Sequence, residues 1–209
     1  MINQKISKIL NEDAESVEFK ILGWWTFGGR SMINSKRAIY NPEDMKGLKI
    51  RVMQDPFLAQ VIKQMGGNPV PMPWVEVYTS LQQGTIDGLE NSAPLFSDAK
   101  LYEVAKYFSL TEHFRIPDPQ LISLKFFNSL PKDLQDVLIQ AGKETEDEYR
   151  KIWANYEGEA IKVLKDNGVK INEVDKAAFR EAVAPIYEDF LSSVSLETKK
   201  LYNLFREVK

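Results

Sequence analysis

The sequence predicts an α/β fold with mostly parallel strands, folded into two lobes. Short strand-like alternations are separated by helix-like periodicity, with glycine and proline at the junctions, which is the rhythm of βα units. After Pro131 no proline occurs until beyond Asn167, and a helix over that stretch would run to about 55 Å at 1.5 Å per residue, more than one small domain covers. Over 209 residues, 44% are hydrophobic, enough to build a real core.

In chain order, Ile2, Ile6, Ile9 and Leu10 fall at helical spacing, and "SVEFKILGWW" reads as a strand through Val17, Phe19 and Ile21. The glycine-containing "TFGGRSMINS" reads as a loop and "NPEDMKG" as a turn or single helical turn. In "GLKIRVMQDP", Leu48, Ile50 and Val52 alternate as one face of a strand. Asp55 is placed to cap a helix that has Pro56 in its first turn and ends at Gly66-Gly67. Prolines 69, 71 and 73 make "NPVPM" an edge strand. A helix in "VEVYTSLQQ" closes at Gly84, "TIDGLE" is a strand, and Leu95 to Lys106 is helical.

"YFSLTEH" and "PQLISLKFF" read as strands. Pro131 to Asn167 suits one continuous helix or two broken near Gly142 or Gly158; its strongly polar middle, "GKETEDEYRK", implies that the two ends pack on different lobes. "VKI" is a short strand. Asp175 to Val208 forms two helices parted near "SSVS", the first kinked by Pro185.

Charge and composition exclude several functions. The 27 basic and 30 acidic residues leave a net charge of -3, with the basic residues dispersed, which argues against nucleic acid as a partner. Without cysteine there is no disulfide, thiolate metal site or cysteine nucleophile. A single histidine removes most zinc sites and any triad built on another imidazole. No apolar run approaches the ~20 residues that span a bilayer, and Met1 to Ala14 is too polar for a signal peptide. Neither phosphate-loop nor dinucleotide-binding glycine patterns occur, and no cofactor or metal is expected.

Arg51 stands near the carboxyl end of its strand, at the rim where ligands collect in α/β sheets. A guanidinium there matches the two oxygens of a carboxylate; the alternatives are an exposed strand-end arginine or an internal salt bridge. Asn91 is either a carboxamide donor to a ligand oxygen or a turn former before Ser92. Asp87 and Glu90 are more simply solvated or paired than catalytic, and His113 is a hydrogen-bonding residue before it is a base. Trp24, Trp25 and Trp74 belong to the core or line a cleft.

Taken together, "NPEDMKGLKIRVMQ", "GGNPVPMPWVEVYTSLQQGTIDGLEN", "LYEVAKYFSLTEH" and "LPKDLQDVLIQAGKE" resemble the solute-binding proteins of tripartite ATP-independent periplasmic (TRAP) transporters, the DctP type. The resemblance covers nearly the whole chain. It implies a periplasmic binding protein-like (type II-like) fold, a long helix spanning both lobes, and an incomplete first lobe, since family members carry a secretory signal and further residues before this point. The lobes would be 1–29 with 117–150, and 30–116 with 151–209. It implies that Arg51 binds the substrate carboxylate, that Asn91 hydrogen-bonds it, that Arg30 is a second ligand-facing arginine, that Trp74 packs on the ligand, and that Gln54 and His113 contact it.

The implied function is non-enzymatic: capture of a carboxylate-containing organic acid, such as a dicarboxylate or sugar acid, by hinge closure, and delivery to TRAP permease subunits. The implied location is periplasmic or otherwise extracytoplasmic, with no membrane insertion by this chain. The alternatives are an extracytoplasmic sensor on the same fold and an enzyme using Asp87, Glu90 or His113.

Overall fold

The computed structural model describes residues 4–207; Ile2 and Val208 lie outside them. Two units emerge. The first comprises Met1–Phe27, Pro117–Trp153 and Phe190–Lys209; the second comprises Gly28–Ile116 and Ala154–Asp189. The tail from Phe190 thus joins the first unit, whereas the sequence reading put all of 151–209 in the second lobe.

In the first unit, helix α1 (Gln4–Ser16) leads into strand β1 (Phe19–Thr26), which pairs antiparallel with β7 (Pro117–Ser123). The strand expected over "PQLISLKFF" stops early, because Ser123 accepts a hydrogen bond from the Phe126 N–H and caps a short helix, α5 (Leu124–Ser129). Helix α6 then runs unbroken from Lys132 to Asp166. Gly142 does not interrupt it. A Cβ on Gly142 would stand 2.3 Å from the Leu22 carbonyl oxygen, and one on Gly23 would stand 2.6 Å from the Gly142 oxygen, so this glycine pair lets helix and strand touch backbone to backbone. Beside the contact, Trp25 stacks on Tyr149 with centroids 4.9 Å apart, and Phe27 meets Trp153 edge-on. Helix α8 (Leu196–Glu207) packs against α1.

The second unit is a six-stranded sheet in the order β4-β3-β5-β2-β6-β8. Its strands are β2 (Arg30–Asn34), β3 (Lys49–Val52), β4 (Asn68–Pro71), β5 (Gly88–Asn91), β6 (Tyr107–Phe114) and β8 (Lys170–Asn172). The segment read as a loop therefore contains β2, a fully paired inner strand with Met32 and Ile33 buried. Flanking glycines and polar residues masked it.

Because β2 runs antiparallel to both β5 and β6, the sheet is mixed rather than mostly parallel. The parallel pairs are β3 with β4, β3 with β5, and β6 with β8. As expected from its prolines, β4 lies at the edge.

Each sheet face carries a core. Ile33, Leu89, Phe96 and Phe108 pack with α3 (Val77–Gln82), α4 (Ala93–Asp98) and Ala160 and Leu164 of α6. On the other face Met32, Ile50, Val52 and Met65 pack with α2 (Pro56–Gln64) and with Phe179 and Ile186 of α7 (Lys176–Ser193). The helix expected over Leu95 to Lys106 is broken after α4, where Lys100 takes a left-handed φ of 51° before a 3-10 turn at Leu101–Glu103.

Gly88 is required by packing. A Cβ there would lie 2.4 Å from the Ile33 carbonyl oxygen of β2.

Candidate functional site

All six residues singled out from the sequence fall in the second unit. Strands β3 and β5 run parallel and present their carboxyl ends at the same rim, with Arg51 paired to Leu89. Two residues on from Leu89, Asn91 shares its side of the sheet by strand alternation. Arg51 and Asn91 therefore lie on one face, whereas Glu90, paired with Met32, lies on the other.

Arg51 is 4% exposed, so it is not a surface charge. Its Nε and one Nη donate to the Met72 carbonyl oxygen at 2.9 and 2.7 Å. That oxygen is available because the β3–β4 ladder ends there: the Met72 N–H donates to Val52, and no further pair follows. Trp74, 37% exposed, holds its ring 5.6 Å from the guanidinium carbon, a cation–π arrangement. Among the described residues no carboxylate stands within ion-pair distance of Arg51. Burial pulls its pKa down, the Glu90 charge raises it and the Arg30 charge lowers it.

On the other face Arg30 and Glu90 form a two-point pair. Arg30 Nε donates to Glu90 Oε2 at 2.6 Å and its Nη2 to Oε1 at 2.7 Å. Glu90 is 1% exposed, and His113 Nε2 stands 3.6 Å from its Oε2. Burial raises the Glu90 pKa, but the Arg30 hydrogen bonds, then the His113 contact, outweigh it and hold the carboxyl below its ordinary value. His113 Nδ1 is hydrogen-bonded to Thr111 Oγ1 at 2.8 Å.

A bulge in β6 makes this trio possible. Met32 pairs with Ser109 but Arg30 pairs with Phe114, so two steps along β2 face five along β6. The surplus turns through Glu112 at a φ of 42° and delivers Thr111 and His113 beside Glu90.

Asn91 Oδ1 accepts from the Ser92 N–H at 2.8 Å, which leaves its amide group to donate outward. Gln54 is exposed in the loop after β3. Next to it Asp55 caps α2, its Oδ1 accepting from the N–H groups of Phe57 and Leu58 at 2.7 and 3.2 Å, so the positive helix end is already occupied by an anion. Asp87 is also committed, accepting from the Lys49 N–H at 2.9 Å.

The sequence reads Glu90 as solvated or paired, and it is paired with Arg30; its place beside two of the candidate site residues, Arg30 and His113, was not foreseen. Its signal was available: a glutamate between Leu89 and Asn91 on a central strand has to point into the sheet's packing and find a cation.

Comparisons with known proteins place this geometry in context. The model of the DctP family, bacterial extracellular solute-binding protein, family 7, matches residues 1–193. A TRAP periplasmic solute-binding protein from Sulfitobacter sp. NAS-14.1, solved with bound β-D-galacturonate, is 40% identical; the likeness covers 97% of this chain and 67% of that one, with a TM-score of 0.89. Another, from Chromohalobacter salexigens with bound D-glucuronate, is 34% identical over 95% of this chain and 66% of that one, also with a TM-score of 0.89. The 2,3-diketo-L-gulonate-binding periplasmic protein YiaO of Escherichia coli K12 is 34% identical over 183 residues, 87% of this chain and 56% of that protein.

The chain spans about half to two thirds of the length of such curated relatives. The family is one of solute-binding transport proteins rather than an enzyme class. With the family model matching most of its length, this chain belongs to the DctP family of bacterial extracellular solute-binding proteins.

Proposed function

We propose that this chain forms the carboxylate-gripping part of an extracytoplasmic TRAP solute-binding protein, that its ligand is a sugar acid of the hexuronate kind, and that it delivers this acid to a membrane permease. The observation that carries the reading is Arg51, a buried guanidinium without a carboxylate partner among the described residues. A buried charge is costly unless paired, and here the pairing anion is the ligand. Met72 and Trp74 fix the plane of the fork, and the second Nη is left for a carboxylate oxygen. Asn91, on the same face, donates to the same group. The bound galacturonate and glucuronate of the Sulfitobacter and Chromohalobacter proteins support a sugar acid over a simple dicarboxylate.

Arg30 serves as the second cation, aligned by Glu90; Trp74 offers its exposed ring to the sugar, and Gln54 and His113 contribute at the rim. No reaction is performed on the ligand. The acids and the base that chemistry would need are already engaged: Asp87 by Lys49, Glu90 by Arg30 and His113 by Thr111.

The test is a thermal-shift and calorimetric comparison of D-glucuronate and D-galacturonate with neutral glucose and galactose. It is run on this chain and on this chain joined to the segment of the Sulfitobacter relative that it does not span. Uronates should raise the melting temperature of at least the joined chain while the neutral sugars do not. Equal response to neutral hexoses, or none to either uronate, overturns the reading.

A further inference from the structure

Away from Arg51, the second unit carries an open pocket of about 270 Å³ between α2, the bulged end of β6 and α7. That is roughly nine waters' share of liquid volume, near the lower end of small-ligand sites. Val61, Phe179, Val183 and Ile186 give it an apolar side, and Thr111 and Glu112 stand on its polar side. Two cations of α7 border it, Lys176 and Arg180, one helical turn apart. They differ in commitment. Lys176 is held by Glu112, whereas Arg180 forms no ion pair among the described residues.

His113 also lines the chamber, with its Nε2 facing the Glu90 carboxylate at 3.6 Å and its Nδ1 bonded to Thr111. A chamber with an apolar side and, at its edge, a guanidinium that forms no ion pair among the described residues matches a ligand that is hydrocarbon at one end and anionic at the other.

We propose that this pocket is a second binding site, for a small amphipathic organic anion, with its carboxylate on Arg180 and its aromatic or aliphatic body among Val61, Phe179 and Val183. The site differs from the Arg51 grip, and His113 borders both. Arg51, Asn91 and Trp74 are not among its lining residues, and its apolar side would strip water from the hydroxyls of a sugar acid. The two sites therefore select different acids.

Benzoate and hexanoate are the probes, with benzyl alcohol as the uncharged counterpart of benzoate, titrated by calorimetry into the chain and three variants. Benzoate should bind the native chain. Arg180→Gln should weaken benzoate at least ~10-fold, the loss of one charge-assisted pair, while leaving benzyl alcohol unchanged. Val183→Trp should fill the chamber and remove both. Arg180 is exposed, so its variant keeps the test decisive should the tryptophan prevent folding.

Arg51→Ala should leave benzoate binding intact, and Arg180→Gln should leave D-glucuronate binding intact, so failure of one site is distinguishable from failure of the other. Absence of benzoate binding to the native chain overturns the proposal. So does binding that Arg180→Gln leaves unmoved and Arg51→Ala abolishes.

Discussion

Arg30 and Glu90 face each other across adjacent antiparallel strands in a two-point ion pair, at 2.6 and 2.7 Å, with the carboxylate 1% exposed. The carboxylate is out of water, while the Arg30 side chain keeps 15% exposure and the histidine beside them 6%. Glu90→Gln should leave Arg30 without its counter-charge and cost about 3 kcal/mol, as breaking a buried pair does. Urea denaturation at neutral pH measures it.

The same carboxylate should make stability depend on acid. Its folded pKa lies below the ordinary glutamate value, so the unfolded chain takes up the proton first as pH falls. The contribution is complete above the unfolded value and is lost as pH drops through the folded one. The native urea midpoint should therefore decline below about pH 5, and Glu90→Gln should flatten that decline. An unchanged acid slope in the variant assigns the effect to other carboxylates.

Arg51→Ala should weaken uronate binding at least ~10-fold, and Arg51→Lys should weaken it too, because an ammonium cannot hold Met72 and a carboxylate in one plane. Calorimetry with D-glucuronate on the joined chain described above reads both. Equal affinity of the lysine variant would reduce Arg51 to a diffuse attraction.

Two glycines in helix α6 should respond with opposite sign. Gly142→Ala places a methyl 2.3 Å from the Leu22 carbonyl oxygen, so it should destabilise despite alanine's better helix propensity. Gly158 has nothing within 4 Å of an added Cβ, and Gly158→Ala should stabilise by up to about 1 kcal/mol. Thermal melts of the two variants side by side make the comparison.

Asp55→Ala should lower stability by about 1 kcal/mol through loss of the α2 cap. Its effect on uronate affinity should be small, since Asp55 serves the helix end rather than Arg51. A large affinity change would mean that the capped helix end contributes to ligand binding.

Much of the fold was legible locally. Asp55 as a cap, the edge character of "NPVPM", Arg51 at a strand end and the long proline-free helix all follow from short-range rules: a side chain reaching its own backbone, a missing N–H, a period of two or 3.6. Strand β2 was not legible. Its five residues carry no clean alternation because both of its faces are buried, and its direction depends on strands about 60 and 80 residues away. The break after α4 was hidden as well, since a left-handed Lys100 follows from packing and not from propensity.

The amino-acid sequence by itself determined the candidates for a carboxylate grip, Arg51, Asn91 and Arg30, and the strand that carries Arg51. Tertiary structure alone decided their states. Register placed Arg51 and Asn91 on one face and Glu90 on the other, the end of the β4 ladder freed the Met72 oxygen for Arg51, and a bulge in β6 brought His113 to Glu90. Charge is a property of a residue, but whether a charge is buried, paired or left waiting for an anion is set by neighbours that only pairing between distant strands brings near.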